Sequence, residues 1–190
     1  MLKNKLMIAL LAASGLMLSA AASAQVYVGG TVGKASWSED CTGLDGCTTN
    51  SSAYKILGGY NINDKFAVEA SYFSLGTVNG TQGTPGGLNA YNLKGTGFEL
   101  SGLYNQALTD KLTGFAKVGV ARIKASNNYI VQDAPGSDST TSTAPVFGVG
   151  LTYKLTDKLA LRSEVETRKI KYNGDKEAVT NYSVGMQYSF

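Results

Sequence analysis

Apolar and polar residues alternate with a period of two along most of this chain. In the first such segment Val26, Val28 and Val32 share one face, while Tyr27 and Thr31 share the other. A period of two over this length is typical of β-strands and excludes a helix. The same pattern predicts eight strands, at about 25–36, 53–62, 66–75, 95–107, 112–125, 144–155, 159–171 and 178–190. The predicted fold class is therefore all-β and antiparallel.

Three similar tripeptides connect pairs of predicted strands. They are Asn63-Asp64-Lys65, Thr109-Asp110-Lys111 and Thr156-Asp157-Lys158, with their aspartates 46 and 47 residues apart. Because Asp and Asn bond their own backbone and tolerate tight turns, each tripeptide is interpreted as a hairpin turn. The remaining connections are predicted to be three longer polar loops, at 38–52, 76–94 and 126–143, and a shorter one at 172–177 that contains the turn Asn173-Gly174-Asp175. Short turns at one end and longer loops at the other favour an eight-stranded antiparallel up-and-down barrel.

The composition favours a barrel that spans a membrane over a soluble one. Charged residues make up 16% of the chain, against roughly 25% in soluble domains. After Gln25 no apolar run reaches the roughly 20 residues that a membrane helix needs, but a barrel crosses with short strands. The polar face of the last strand carries small uncharged residues such as Ser183 and Ser189, which suit a narrow interior.

Aromatic residues cluster at the ends of the predicted strands. Those expected near the turn end are Tyr60, Phe66, Tyr104, Tyr153, Tyr188 and Phe190. Those expected near the loop end are Tyr54, Tyr72, Phe98, Phe147 and Tyr182. Two aromatic girdles at the two interfaces are typical of a transmembrane barrel.

The N-terminal segment has the features of a signal peptide. Lys3 and Lys5 precede an apolar stretch, and Ala22-Ser23-Ala24 forms a small-residue cleavage site. The predicted domains are a signal peptide at 1–24 and an outer-membrane barrel at 25–190. Without the signal peptide, 15 basic and 14 acidic residues give a net charge of +1, and we expect no nucleic-acid partner.

The C-terminal segment resembles the assembly signal of bacterial outer-membrane barrels. Tyr188 and Phe190 end a strand that alternates through Tyr182, Val184 and Met186. The whole mature chain is similar to the small eight-stranded family that includes the OmpA transmembrane domain, OmpX and the opacity proteins. The resemblance implies export through the periplasm, recognition of the C-terminal strand by the barrel-assembly machinery, and an outer-membrane location with extracellular loops. No peptidoglycan-binding domain follows the barrel, so a role in cell-wall anchoring is not expected.

Charged residues in the middle of strands are predicted to face the barrel interior. A lysine or arginine facing lipid at mid-membrane costs roughly 2–4 kcal/mol. The alternate positions of the strands that face inward carry residues of both charge signs, namely Lys55, Glu69, Glu99, Lys117, Arg162, Glu164, Glu166 and Arg168. We expect these eight residues to form a lumen ion-pair network. The network is either a structural plug or, as a resemblance to OmpA implies, the gate of a narrow ion path.

A second basic set is predicted at the outer rim, on the lipid-facing side. It consists of Lys34, Lys94, Arg122, Lys124, Lys169 and Lys171. These side chains either bind phosphates of lipopolysaccharide or extend toward water so that they avoid hydrocarbon.

The sequence offers little for catalysis, metal binding or a cofactor. There is no histidine, and Cys41 and Cys47 are expected to form a disulfide in an oxidising compartment. Two thiolates alone do not make a zinc site, and no nucleophile elbow is present. Glu164 and Glu166 are interpreted as ion-pair partners, so we expect no enzyme activity, no metal and no cofactor.

Two functions from different classes remain. One is a surface-interaction and envelope-integrity role, with the extracellular loops contacting a host-surface ligand and the barrel contacting lipid and lipopolysaccharide. The alternative is a narrow, gated, ion-conducting channel.

Overall fold

The computed structural model describes residues 25–38, 46–84, 87–131, 134–172 and 175–190. The predicted signal peptide lies outside these residues. The strands are β1 Val26–Trp37, β2 Gly46–Cys47, β3 Asn50–Asn61, β4 Phe66–Thr84, β5 Gly87–Ala107, β6 Leu112–Val131, β7 Ala134–Lys154, β8 Leu159–Tyr172 and β9 Asp175–Ser189. None of the described segments forms a helix long and apolar enough to cross a membrane.

Eight of these strands close into an antiparallel barrel. β1 pairs with β3 on one side and with β9 on the other, and the remaining neighbours follow in chain order. The β4–β5 pairing completes the ring. The two-residue strand β2 stands outside the ring and pairs only with β4 in the described part of the chain. The predicted strand number and topology are confirmed.

The strands are strongly tilted against the barrel axis. Facing residues of neighbouring strands, followed once around the barrel, run from Arg122 through Phe98, Tyr72, Ile56, Gly30, Met186, Leu161 and Tyr153 to Leu112. The path returns to β6 ten residues before its start, which is the shear of the barrel. Eight strands with this shear tilt by about 43°, so each residue climbs about 2.4 Å along the axis.

Each short turn is closed by the first residue of its tripeptide. The Asn63 Oδ1 atom accepts hydrogen bonds from the backbone N–H groups of Lys65 and Phe66, both at 2.9 Å. Thr109 Oγ1 and Thr156 Oγ1 accept the equivalent pairs, at 2.9–3.3 Å. The turns are therefore where the sequence predicts them, but the hydrogen-bonding side chain is the Asn or Thr and not the aspartate. We call this end of the barrel the turn end and the opposite end the hairpin end.

Two of the predicted loops are wrong. Residues 76–94 and 126–143 are largely continuations of strands: β4 pairs with β5 up to Thr84↔Gly87, and β6 pairs with β7 up to Val131↔Ala134. Polar side chains are common on both faces there because the strands have left the apolar band, which hides the alternation from the sequence. The backbone pairing continues nonetheless, with Thr, Val and Tyr favouring strands. We call the segments 77–84, 87–94, 124–131 and 134–143 the protruding sheet.

The strands also extend into the two other predicted connections. β8 pairs with β9 up to Tyr172↔Asp175, which fits the short turn predicted around Asn173-Gly174-Asp175. In the predicted loop 38–52, strand β3 already begins at Asn50, and residues 39–45 lie outside the described part.

A bulge in β4 marks the transition from the barrel to the protruding sheet. The register with β5 shifts between Ser74 and Thr77. Gly76 has φ +72, where residues with a side chain are strained, and a Cβ there would lie 2.4 Å from the Ser52 carbonyl oxygen. Leu75 keeps the inward parity of Phe73, and the extra residue of the bulge shifts the parity, so that the even-numbered Val78 also faces inward. Both residues join the apolar cluster that caps the lumen.

The exterior of the barrel carries two rings of exposed aromatic side chains. The turn-end ring contains Tyr60, Phe66, Tyr104, Tyr153, Tyr188 and Phe190, and the hairpin-end ring contains Tyr54, Tyr72, Phe98, Phe147 and Tyr182. From the register and the tilt, the Cα atoms of the two rings are about 15 Å apart along the axis. The band between them is made of exposed aliphatic residues such as Ile56, Leu100 and Val149.

Candidate functional site

The structure brings all eight predicted lumen charges together. Lys55 lies on β3, Glu69 on β4, Glu99 on β5 and Lys117 on β6, and the other four, Arg162, Glu164, Glu166 and Arg168, alternate along β8. Every one of these side chains is at most 1% exposed. Four cations face four carboxylates, so the cluster has a formal charge of zero.

The two lysines occupy the centre of the network. Lys117 Nζ lies 2.6 Å from a Glu69 oxygen and 2.9 Å from a Glu166 oxygen, and 3.5 Å from both Glu99 and Glu164. Lys55 Nζ pairs with Glu166 at 2.8 Å and also with Glu164. Lys117 therefore bridges carboxylates of three different strands, whereas Lys55 joins β3 to two carboxylates of β8. Shared partners reduce the cost of removing these charges from water.

The two arginines lie at opposite ends of the network. Arg162 pairs with Glu69 at 2.8 Å and with Glu164 at 2.9 Å, toward the turn end. Arg168 pairs with Glu99 at 3.1 Å and with Glu166 at 2.9 Å, toward the hairpin end. Each guanidinium also stacks over an aromatic ring: Arg162 over Phe115 at 4.5 Å and Arg168 over Phe73 at 4.3 Å. These contacts fix both planar groups in position.

Apolar layers lie on both sides of the charged layer. Toward the turn end, a small cluster contains Tyr27, Leu57, Ala67, Leu103 and Phe115. Toward the hairpin end, a larger cluster contains Ala35, Trp37, Ala53, Phe73, Leu75, Val78, Leu93, Ala121, Ile123, Ala125, Ala144, Val146 and Val179. We call this larger cluster the apolar cap. It fills the lumen from the charged layer into the base of the protruding sheet.

The lumen is open only toward the turn end, as far as the described residues go. A polar cavity of about 450 Å³ enters from that side between residues such as Asn61 and Thr152, and Arg162 is part of its lining. The apolar cap closes the other side. An ion leaving this cavity toward the hairpin end would have to cross both the charged layer and the cap.

Several residues that complete the network were missed from the sequence. The Tyr27 hydroxyl donates to Glu69 at 3.1 Å, and Ser101 donates to Glu99 at 2.7 Å. Arg162 donates to the Gln187 side chain at 3.1 Å. All three share the inward parity of their strands, so parity together with hydrogen-bonding capacity is the signal that would have found them.

The predicted basic rim lies where its parity places it. The side chains of Lys34, Lys94, Arg122, Lys124 and Lys169 are exposed on the barrel exterior, and for Lys171 the structure describes the backbone alone. The strand register puts these five residues about 3–12 Å beyond the mean level of the hairpin-end aromatic ring. Arg122 and Lys124 are two residues apart on β6, and Lys94 lies diagonally opposite Lys124 on β5. No described exterior side chain at this height is acidic.

Two further expectations from the sequence concern the cysteines and metal binding. Cys41 lies outside the described residues, so its disulfide with Cys47 stays a prediction. Among the residues whose positions are described, no three carboxylate or thiol side chains are grouped so that they could hold a metal ion.

Solved structures with this architecture are outer-membrane barrels. Neisserial surface protein A superposes with a TM-score of 0.60 at 15% identity, over 87% of this chain and 97% of that one. Ail of Yersinia pestis, solved with the heparin analogue sucrose octasulfate, gives 0.56 at 15% identity, over 87% and 99%. OprG of Pseudomonas aeruginosa gives 0.52 at 14% identity, over 88% and 97%. At these identities the likeness establishes the fold alone.

Sequence comparison adds a relative and a family. An uncharacterised protein of Haemophilus influenzae is 27% identical over 177 residues, which cover 91% of this chain and 93% of the relative. Residues 21–190 match the OmpA-like transmembrane domain. With its closed eight-stranded barrel and two aromatic rings, the chain belongs to the family of OmpA-like transmembrane domains and is a barrel of the bacterial outer membrane.

Proposed function

We propose that this barrel is a surface-interaction protein that binds an extended segment of an extracellular polypeptide along the open edge of its protruding sheet. The observation that carries the proposal is the edge of β7. Within the described residues β7 pairs with β6 from Ala134 to Tyr153, but with β8 only from Val146 to Lys154. Residues 134–145 therefore have one unpaired edge. With straight strands this edge reaches roughly 30 Å beyond the hairpin-end aromatic ring.

The direction of the backbone groups determines what this edge offers. The Lys154 N–H donates to the Lys111 carbonyl on the β6 side. Because backbone groups alternate in direction along a strand, the odd-numbered residues of β7 direct theirs to the open edge. Pro135 and Pro145 are both odd-numbered, and no proline lies between them. The two prolines limit strand addition to the stretch between them.

The chemistry of this stretch fits a polypeptide partner. Residues 136–144 are mostly Ser, Thr and Gly, with Asp138 as the only charge. The Asp138 carboxylate accepts the Ser139 N–H at 2.7 Å, so the edge donors that remain for a partner include Ser137 and Thr141. Main-chain hydrogen bonds of an added strand supply affinity without requiring a defined partner sequence. A host-surface or matrix protein with an extended segment is the class of ligand that fits.

The orientation in this proposal has the protruding sheet outside the cell. Both ends of the barrel, Val26 and Phe190, lie at the turn end, where the Phe190 N–H donates to the Val26 carbonyl at 3.2 Å. Export of a chain with a signal peptide leaves this end in the periplasm when the C-terminal strand closes the barrel. Tyr188 and Phe190, whose rings are 5.3 Å apart in an edge contact, would present the assembly signal there.

The test replaces the edge donors and leaves the side-chain chemistry comparable. Cells displaying the wild type are compared with cells displaying the double variant Ser137→Pro and Thr141→Pro, in adhesion to immobilised matrix proteins. Both prolines remove an N–H from the open edge and none from the pairing with β6. The control, Ser137→Ala with Thr141→Ala, loses both hydroxyls and keeps both N–H groups.

We expect adhesion to fall at least tenfold in the proline variant and to persist in the alanine control. Equal adhesion of the wild type and the proline variant would refute binding at this edge. Heparin is included as a competitor because Ail was solved with a heparin analogue. If heparin abolishes adhesion while the proline variant still adheres, the contact is made by the basic rim and not by the edge of β7.

We prefer this role to the ion-conducting alternative because of the apolar cap. A gate of exchanging ion pairs in the charged layer would still leave the rest of the cap across the path, including Phe73, Leu75 and Ile123, which are each at most 1% exposed. The charged layer is better explained as a structural plug that holds β3, β4, β5, β6 and β8 together. No catalytic step is part of the proposal.

For envelope integrity, we propose that the basic rim binds phosphate groups of lipopolysaccharide. Its support is the position of five basic side chains just beyond the hairpin-end aromatic ring, with no acidic neighbour described at that height. Charge reversal at Lys94, Arg122 and Lys124 should reduce lipopolysaccharide co-purification severalfold. The matched control reverses Lys65 and Lys111, which lie in the turns at the other end; an equal loss in both variants would refute the proposal.

A further inference from the structure

The membrane-facing band of the barrel contains one polar side chain. Between the two aromatic rings the described outward residues are aliphatic, Gly, Ala or Met, except for Ser163 on β8. Its neighbours across the strands are Leu151 on β7 and Val184 on β9. Ser163 is smaller than both and lies about halfway between the rings along the axis. The barrel surface is therefore recessed at this point.

This recess is part of an apolar groove. A cavity of about 570 Å³ runs along the exterior of β7, β8, β9 and β1. Its lining includes Val149, Leu151, Val165, Val184 and Val32, with Ser163 and Gly150 among the small residues. The volume falls in the range of sites that hold small ligands, roughly 300–1,000 Å³. Because the groove lies in the hydrocarbon band, its occupant has to be apolar along most of its length.

The hairpin end of the groove is positively charged. Lys34 is part of the lining, next to Tyr182 in the register, and its ammonium group donates to Ser52 at 3.3 Å. Lys169 is exposed on β8, four residues beyond the groove residue Val165. The Cα atoms of Lys34 and Lys169 lie about 11–14 Å above that of Ser163 along the axis. A site with an apolar trough and a cationic lip is complementary to a lipid with an anionic head group.

We propose that this groove binds one acyl chain of lipid A and that Lys34 and Lys169 bind a phosphate of the same molecule. The proposal rests on the orientation proposed above, in which the hairpin end meets the lipopolysaccharide leaflet. It adds a defined site to the diffuse attraction of the basic rim. The acyl chain would lie against Ser163, where a larger side chain would fill the recess.

The test fills the groove without changing any charge. Wild type, Ser163→Phe, Lys34→Glu and the control Ala70→Phe are purified in detergent with added lipid A, and native mass spectrometry measures the lipid that each barrel retains. Ala70 is a small outward residue on β4 that pairs with Gly58 on β3 and Leu100 on β5, away from the groove, so its variant makes a matched change on the lipid-facing surface. Phe is tolerated on this surface, and circular dichroism checks that both variants fold.

We expect the wild type and Ala70→Phe to retain one lipid A, and retention to fall about tenfold in both Ser163→Phe and Lys34→Glu. Phosphatidylglycerol should be retained much less than lipid A, and equal retention would overturn the assignment to lipid A. If Lys34→Glu loses lipid A and Ser163→Phe does not, the groove is refuted while the charge attraction of the rim stands. If Ser163→Phe changes only a dimer into a monomer, the occupant is a second copy of the chain, and the proposal is wrong.

Discussion

Glu69 accepts hydrogen bonds from Tyr27, Lys117 and Arg162, and it is buried among them. The Glu69→Gln variant keeps the shape of this side chain but leaves the charged layer with a net charge of +1. Removing one partner of a buried ion pair costs about 3–5 kcal/mol. We therefore expect the free energy of unfolding, measured by urea titration in lipid vesicles, to fall by about that amount.

A compensating substitution separates charge from shape. Adding Lys117→Met to Glu69→Gln restores a neutral layer, so the double variant should be more stable than the single one despite losing more ion pairs. If the free energy of unfolding of Glu69→Gln lies within about 0.5 kcal/mol of that of the wild type, the ion pairs of the charged layer do not stabilise the barrel as one network.

The ring of Tyr27 lies directly over Gly59, its partner on β3, and leaves no space there for a side chain. A Cβ at Gly59 would lie 2.1 Å from Tyr27 Cζ, whereas a Cβ at the adjacent Gly58 has its nearest neighbour at 3.9 Å. Gly59→Ala should displace the ring from Glu69 and destabilise the barrel by about 1–3 kcal/mol. Gly58→Ala should be neutral or slightly stabilising in the same urea titration. Equal effects at the two positions would contradict this packing.

At the scale of the elements, substitutions in a turn test whether the Thr or the Asp side chain closes it by hydrogen bonding. Thr156 Oγ1 accepts from the N–H groups of Lys158 and Leu159, while the side chain of Asp157 is exposed. Thr156→Val should cost about 1 kcal/mol because both N–H groups lose their acceptor. Asp157→Ala should change the free energy of unfolding by less than about 0.5 kcal/mol. A larger loss of stability in Asp157→Ala than in Thr156→Val would show that the aspartate closes the turn, as predicted from the sequence.

The sequence predicts the barrel strands well and the protruding sheet poorly. Inside the membrane band every second residue faces lipid, so Val26 to Val32 or Tyr182 to Phe190 display the period of two clearly. Beyond the band both faces meet water, and segments such as Gly136 to Thr143 lose the alternation while keeping their backbone pairing. The bulge at Gly76 is equally hidden, because a single positive φ leaves no periodic signal.

The sequence predicts which residues face the interior, because that follows from parity, but it does not predict which of them contact one another. Alternation places Lys55, Lys117 and Arg162 inside, since the alternative is an unpaired charge in hydrocarbon. Which carboxylate each cation meets depends on the shear, which decides the residues that share a level on distant strands. The apolar cap was missed for the same reason, because Trp37, Val78 and Leu93 come together only through the register.

On the scale of the whole molecule, the lumen is neutralised by ion pairs and closed by the apolar cap. We therefore expect binding partners to contact the exterior of the barrel. The protruding sheet, the basic rim and the groove at Ser163 all lie outside the barrel wall. The central claim is therefore that the lumen does not conduct ions.

The most direct test is the conductance of the purified, refolded protein in a planar lipid bilayer. We predict no unitary current steps from a preparation whose fold is verified by circular dichroism. Reproducible discrete steps that disappear in the Arg162→Gln variant would contradict the account, because they would require an ion path through the charged layer and the apolar cap.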